Sequence, residues 1–314
     1  MWTGMYWRIS LVLLMIVGFA CNKESKIHTE NSGTKLSEYN SQYLIEIDEL
    51  MLSIKNPNLK IVDMRKAEEF KKQHIAGALN IQRYELENDS FPYEGMMASS
   101  KEIENLFRKI GIKNSDTIIV YDDNGLCEAS RLWWVLQSYN FNQVKLLHGG
   151  INEWKAKGGL LTREIKNFER SEFVLPRDLN NEYFASYADV QAAISNKSII
   201  LDTRSNIEFT GEKHKKGAYK AGRIPNSINL DWAETINFSG NKKFKSRDTL
   251  VHIFEKMNLD KEEQIIVYCH SGVRSAHTTF VLSQLLGYSN VKNYDGSWIE
   301  WSYFNKTKNF QDLK

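Results

Sequence analysis

Of the three cysteines in the chain, Cys269 is the one placed for chemistry. It follows the apolar run Ile265-Ile-Val-Tyr268 and opens the segment Cys269-His270-Ser271-Gly272-Val273-Arg274-Ser275. Beyond Ser275 come Ala276, Phe280, Val281, Leu282, Leu285 and Leu286, a helical pattern that Gly287 stops. A cysteine at the end of a strand, in a tight loop whose backbone N–H groups lead into a helix N-terminus, lies in a positive field. That field favours the thiolate and attracts anions. Gly272 lets the loop curl without a Cβ clash. Arg274 adds a full positive charge, which lowers the thiol pKa further and draws in a small dianion. The bland alternative is a buried apolar cysteine, and the strand–Cys–Gly–Arg–helix order weighs against it.

The elements that must carry this loop occur twice. Lys60-Ile-Val-Asp-Met-Arg65 recurs as Ile199-Ile-Leu-Asp-Thr-Arg204, and His74-Ile-Ala-Gly-Ala-Leu-Asn-Ile81 as Arg223-Ile-Pro-Asn-Ser-Ile-Asn-Leu230. Thr117-Ile-Ile-Val-Tyr121 recurs as Gln264-Ile-Ile-Val-Tyr268, and Val144-Lys-Leu-Leu-His-Gly-Gly-Ile-Asn-Glu-Trp154 as Val291-Lys-Asn-Tyr-Asp-Gly-Ser-Trp-Ile-Glu-Trp301. The offset grows from 139 at the Asp-x-Arg pair to 147 at the later segments, so the second copy carries an insertion, most visibly Gly211 to Lys220. A repeat of this size reveals a duplicated domain before any secondary structure is assigned.

Short apolar runs such as Ile118-Ile-Val-Tyr121, flanked by helical patterns, predict an α/β fold. Each of two tandem domains is expected to be a mainly parallel sheet with helices on both faces. The first spans 40–162, the second 188–306, with a connector over 163–187 and a tail over 307–314. Forty-one basic against thirty-nine acidic side chains in 314 residues leave a net charge of +2, which argues against a nucleic-acid binder. No metal-ligand spacing or phosphate-binding glycine motif stands out, and no cofactor is expected.

At the N-terminus, Arg8 precedes the apolar run Ile9–Ala20 and then Cys21. The run is short of the roughly 20 residues of a spanning helix, so the plan is that of a signal peptide over 1–21. Gly18-Phe19-Ala20-Cys21 resembles a lipoprotein box, although Gly18 and Phe19 depart from it, and this implies lipidation at Cys21. Residues 22–39 then form a tether, and the protein is expected to be exported to the periplasm or cell envelope. With so few cysteines a disulfide framework is not expected, while a Cys127–Cys269 bridge stays open.

The strand, the Cys269 loop, the two Asp-x-Arg pairs, His74-Ile-Ala-Gly-Ala and Asp295-Gly-Ser-Trp-Ile-Glu-Trp301 together resemble the tandem rhodanese sulfurtransferases over residues 40 to 305. The resemblance implies a sulfane sulfur carried as a persulfide on Cys269, taken from a small anionic donor and given to cyanide or a thiol. It makes His270, Ser271, Gly272, Val273 and Arg274 the active-site loop. It makes Arg204 a contact for the anionic end of the donor, against an ion pair with Asp202 or Glu208. It makes His74 a proton relay with the loop serine, against a turn-holding hydrogen bond. In the first half Asp122 stands where Cys269 does, so that half is expected to be inactive.

The loop mixes features of thiosulfate and 3-mercaptopyruvate users; thiosulfate is the expected donor and mercaptopyruvate the alternative. A sulfur-relay module without small-donor turnover is a rival of another class. A phosphatase places its arginine six positions after the cysteine to encircle a phosphate, whereas Arg274 is five positions on. His270 is a candidate donor to leaving sulfite, and the basic stretch from Lys213 to Lys220 either rims the pocket or is solvated surface.

Overall fold

The computed structural model describes Met1, Trp2 and residues 38–307. Cys21 and the rest of the expected signal peptide lie outside the described residues. The chain divides into Met1–Leu36 and the body Ser37–Lys314, and the fold is that of the body. Glu38 and Tyr39, the described residues of the expected tether, belong to that body. Tyr39 is buried with its hydroxyl donating to the Lys245 carbonyl, and Glu38 accepts the N–H of Arg247 at 2.8 Å.

The first half runs β1 (Leu44–Ile45), α1 (Ile47–Ser53), β2 (Leu59–Asp63), α2 (Ala67–Lys72), β3 (His74–Ile75), β4 (Leu79–Asn80), a 3-10 turn (Arg83–Leu86), α3 (Ser100–Lys109), β5 (Thr117–Tyr121), α4 (Cys127–Ser138), β6 (Val144–Leu147), α5 (Gly150–Ala156) and β7 (Leu161–Thr162). The second runs β8 (Phe184–Ala185), α6 (Tyr187–Asn196), β9 (Ile199–Asp202), α7 (Asn206–Thr210), β10 (Ile228–Asn229), a 3-10 turn (Trp232–Thr235), α8 (Arg247–Glu255), β11 (Ile265–Tyr268), α9 (Val273–Phe280), β12 (Val291–Tyr294) and α10 (Ser297–Phe304). α9 continues through a π-helical turn over Val281–Leu285 before Gly287 ends it. β8 and the start of α6 fall inside the stretch 163–187, so the second sheet begins within the expected connector.

The two five-stranded sheets are parallel and have the same order, β1-β6-β5-β2-β4 and β8-β12-β11-β9-β10, while β3 and β7 form a separate antiparallel pair. Alternation along the central strands explains why these apolar runs became strands buried on both faces. On β5, Ile118 and Val120 face a core shared by the two halves, while Ile119 and Tyr121 face a cluster made with α1, α2 and α5. On β11, Ile265 and Val267 face the shared core, and Ile266 and Tyr268 face α6 and α10. The shared core is where α4 packs on α9, with Trp133 edge-on to Phe280 at 4.9 Å between ring centroids. The two halves therefore form one body, and the C-terminal ends of β5 and β11 present equivalent loops beside their junction.

Candidate active site

Cys269 directly follows β11 and is buried. The turn closes at Gly272, whose φ of +75° and lack of space suit no other residue: a Cβ there would lie 2.6 Å from the Asp295 carbonyl oxygen. Val273 and Arg274 are already the first two residues of α9 rather than loop. Ser297 braces the turn from below, its hydroxyl oxygen accepting the N–H of Cys269 at 3.1 Å and of Gly272 at 3.0 Å while donating to the Tyr294 carbonyl at 2.8 Å. Burial alone pushes the Cys269 thiol up. Arg274, the Ser275 hydroxyl 3.4 Å from Sγ, and the N–H groups of Ser275 and Ser271 outweigh it and bring the thiol down to about 7. At neutral pH a large fraction of Cys269 is thiolate.

Three cations surround that sulfur. Arg274 forms a fork to Glu208, with Nη1 to Oε2 at 2.7 Å and Nη2 to Oε1 at 3.0 Å. Burial disfavours the Glu208 carboxylate, but Arg274 holds it ionised, with its pKa down at about 2. Arg83 reaches in from the first half, its Nη2 donating to Ser271 Oγ at 2.6 Å. Lys215, on the inserted segment, is exposed, and its pKa is lowered by partial burial and then by Arg274; Cys269 and Glu208 act on it in the opposite sense. The basic insertion thus rims the site.

Two expected site residues do not lie in it. Arg204 is buried and folded back on Asp202, with Nε 2.9 Å from Oδ1 and Nη2 2.5 Å from Oδ2, and its Nη2 also donates to the Gly222 carbonyl at 2.8 Å. It is the structural ion pair, repeated by Arg65 on Asp63 in the first half. His74 is fully buried and stacked on Phe70, with Nδ1 2.8 Å from the Phe70 carbonyl and Nε2 3.1 Å from that of Glu164. Neither ring nitrogen is left for Ser271, so no histidine relay forms. His270 lies beside the site, but burial, then Lys215 and Arg274, push it down to about 4, and its Nε2 faces the Lys216 carbonyl at 3.0 Å. A neutral imidazole with that N–H engaged is not a proton donor to a leaving group.

Sequence reasoning missed Ser275, Ser297, Glu208 as the partner of Arg274, and Arg83. A hydroxyl in the first turn after the arginine was a signal for Ser275, and a glutamate follows each Asp-x-Arg, Glu69 in the first copy and Glu208 in the second. Arg83 sits where the copies diverge.

In the first half, Asp122 fills the equivalent cradle. Its Oδ1 accepts the N–H of Asn124 at 2.9 Å and Leu126 at 2.8 Å, and its Oδ2 those of Glu128 at 2.9 Å and Ala129 at 3.1 Å. The loop is closed by its own carboxylate. Cys127 is buried, and burial, then Glu128 and Asp122, raise its thiol well above the ordinary range. Both Cys127 and Cys269 are free thiols.

A duplicated parallel α/β fold, with one ionisable cysteine in a ring of N–H groups at a strand end, defines a class of sulfur-handling enzymes. The Rhodanese-like domain model matches residues 46–157 and 186–303, and the chain belongs to that family, within its sulfurtransferases. It is 36% identical over 235 residues to a protein of Saccharopolyspora erythraea with a provisional thiosulfate sulfurtransferase name, covering 73% of this chain and 81% of that one. It is 30% identical over 240 residues to the sulfur carrier protein TtuD of Thermus thermophilus, covering 73% and 82%. The crystal structure of the 3-mercaptopyruvate sulfurtransferase SseA of Escherichia coli superposes with a TM-score of 0.71 at 28% identity, covering 82% of this chain and 98% of that one.

Proposed function

We propose that the protein transfers the sulfane sulfur of thiosulfate through a persulfide on Cys269. The observation that carries this is the buried Cys269 thiol, ionisable near neutral pH, in a ring of N–H groups closed by Arg274. The thiolate attacks the outer sulfur of thiosulfate, the S–S bond breaks, and sulfite leaves with the electron pair. Cyanide or a thiolate then attacks the outer sulfur of the persulfide and restores the Cys269 thiolate. No proton is needed in either step when cyanide is the acceptor. Mercaptopyruvate, by contrast, leaves as an enolate that must be protonated, and the buried His74 and neutral His270 offer no relay for that proton. Lys215, Arg274 and Arg83 supply the positive field a dianion requires.

Thiosulfate and cyanide mixed with the protein should give thiocyanate, and Cys269→Ser should abolish it. Faster turnover with 3-mercaptopyruvate overturns the donor assignment. The likeness to a Thermus sulfur carrier favours a second reading, in which the acceptor is a protein; a sulfur adduct on Cys269 without turnover of either small donor would establish it. Export with lipidation at Cys21 is also proposed, on the apolar run Ile9–Ala20 and the following cysteine. Radiolabelled fatty acid incorporated by wild type and not by Cys21→Ser is the expected result.

A further inference from the structure

The active half borrows a side chain from the inactive one. Asn80 Nδ2 donates to the carbonyls of Asp63 and Arg65, and Asn229 Nδ2 to those of Asp202 and Arg204, so these asparagines hold equivalent places. The 3-10 turns that follow therefore align Arg83 with Trp232 and Glu87 with Ile236, each pair 149 residues apart. Over the Asp122 loop the two positions are apolar. A Cβ on Gly125 would meet Ile236 Cδ1 at 2.3 Å and Trp232 Cζ3 at 3.6 Å, so these side chains close that loop.

Over the Cys269 loop the same positions carry opposite charges. Arg83 Nε donates to Glu87 Oε1 at 2.9 Å, Nη1 to Glu128 Oε1 at 3.4 Å, and Nη2 to Ser271 Oγ at 2.6 Å. Gly95, also from the first half, presses on Ser271, and a Cβ there would come 2.8 Å from the serine Cβ. Ser271 is therefore fixed from outside its own domain. Because its oxygen accepts from Arg83, its hydroxyl proton is free to donate elsewhere. The Arg83 side chain is half-buried, with Nε and Nη1 held by carboxylates and Nη2 by the serine, so the guanidinium is fixed in place against Ser271.

We propose that Arg83 is a positioning and specificity residue for the Cys269 site, orienting the Ser271 hydroxyl toward an oxyanionic sulfur donor. This rests on the thiosulfate reading. It also assigns the first half a chemical duty, since the second half has no arginine of its own in that place.

The test compares wild type, Arg83→Met and Arg83→Lys in the full chain, with thiosulfate and cyanide. Melting temperature and alkylation by neutral iodoacetamide, well above the thiol pKa, serve as controls. Loss of a charge-assisted contact predicts a KM for thiosulfate raised about tenfold or more in Arg83→Met, with partial recovery in Arg83→Lys and near-wild-type alkylation. If Arg83→Met does not fold, Arg83→Lys decides, because it keeps the charge and loses the fork. An unchanged KM, or KM and alkylation changing together in proportion to lost stability, overturns the inference while wild-type turnover leaves the thiosulfate reading standing. Wild-type protein that yields no thiocyanate from thiosulfate overturns both.

Discussion

Asp122 and Cys269 occupy one position of a duplicated loop, 147 residues apart, and each is held by backbone N–H groups of the turn that follows. Asn124 and Glu128 donate to the carboxylate as Ser271 and Ser275 do to the sulfur. The cradle is thus an anion site in both halves. One is permanently filled by a side-chain carboxylate, and burial lifts that group to about 6 even though the N–H groups pull it down. The other holds a sulfur that can be charged and loaded.

Restoring a cysteine at position 122 should not restore chemistry. The Asp122→Cys change in a Cys269→Ser background places a thiol in the cradle, but Cys127 stands where Arg274 would be, Glu128 is adjacent, and Trp232 and Ile236 cover the loop. Burial without a compensating cation raises the thiol, as it does for Cys127. The expected outcome is no sulfur adduct by intact-mass measurement after thiosulfate, and a stoichiometric adduct would show that the cradle alone is enough.

The pH profile follows from the thiol. With Cys269 at about 7, well below the ordinary thiol, the thiolate fraction and hence kcat/KM should rise through pH 7 and level above it. Arg274 is the largest influence holding the thiol down, so Arg274→Met should move this limb upward and cut neutral-pH activity by about tenfold or more, since below the pKa each pH unit the limb moves is about tenfold in thiolate. Ser275→Ala should shift it in the same direction by less. Iodoacetamide alkylation rate against pH measures both shifts, and an unmoved limb in Arg274→Met would remove the arginine from this role.

Ser297 adopts φ +51°, a left-handed conformation, at the position of Gly150 in the first half. Ser297→Ala keeps the strain and strips two buried N–H groups of their acceptor, costing about 2–6 kcal/mol, at about 1–3 kcal/mol for each unpaired group. Ser297→Gly loses the same hydrogen bonds but relieves about 1 kcal/mol of backbone strain. Urea melts should therefore rank wild type above glycine above alanine. Alanine equal to wild type would mean that water or another group satisfies the loop.

The duplication, the central strands and the Cys269 turn were legible because each is local: apolar runs of four or five residues bounded by a loop whose composition fixes its shape. The outer strands β1, β4, β8 and β10, two residues each, are too short to show alternation, which is how β8 came to lie inside an expected connector. Arg204 and His74 sit in segments that repeat or resemble motifs, yet the sequence gives no account of burial, and burial decides their roles. Arg204 finds Asp202 two residues away, and His74 finds two carbonyls. Arg83 was illegible for the opposite reason, since its partner Ser271 is 188 residues distant.

The junction between the halves carries reciprocal latches whose energetics can be separated. His148 Nε2 accepts the N–H of Phe244 at 3.2 Å, and Asp295 Oδ2, at the same repeat position, accepts the N–H of Met97 at 3.0 Å. Asp295 also pairs with Arg131, Oδ1 to Nη2 at 2.7 Å, and both side chains are only 2% exposed. Asp295→Leu alone should strand a buried guanidinium and the Met97 N–H, costing about 3–5 kcal/mol, and Arg131→Met alone should strand the carboxylate at a similar cost. Replacing both removes the two desolvation penalties together, so the double variant should lose much less than the sum. Chemical denaturation of the four proteins completes the cycle, with a coupling energy of about 2 kcal/mol or more expected. Additive losses would mean that Arg131 is held chiefly by the Gly95 carbonyl and the Trp134 ring rather than by Asp295.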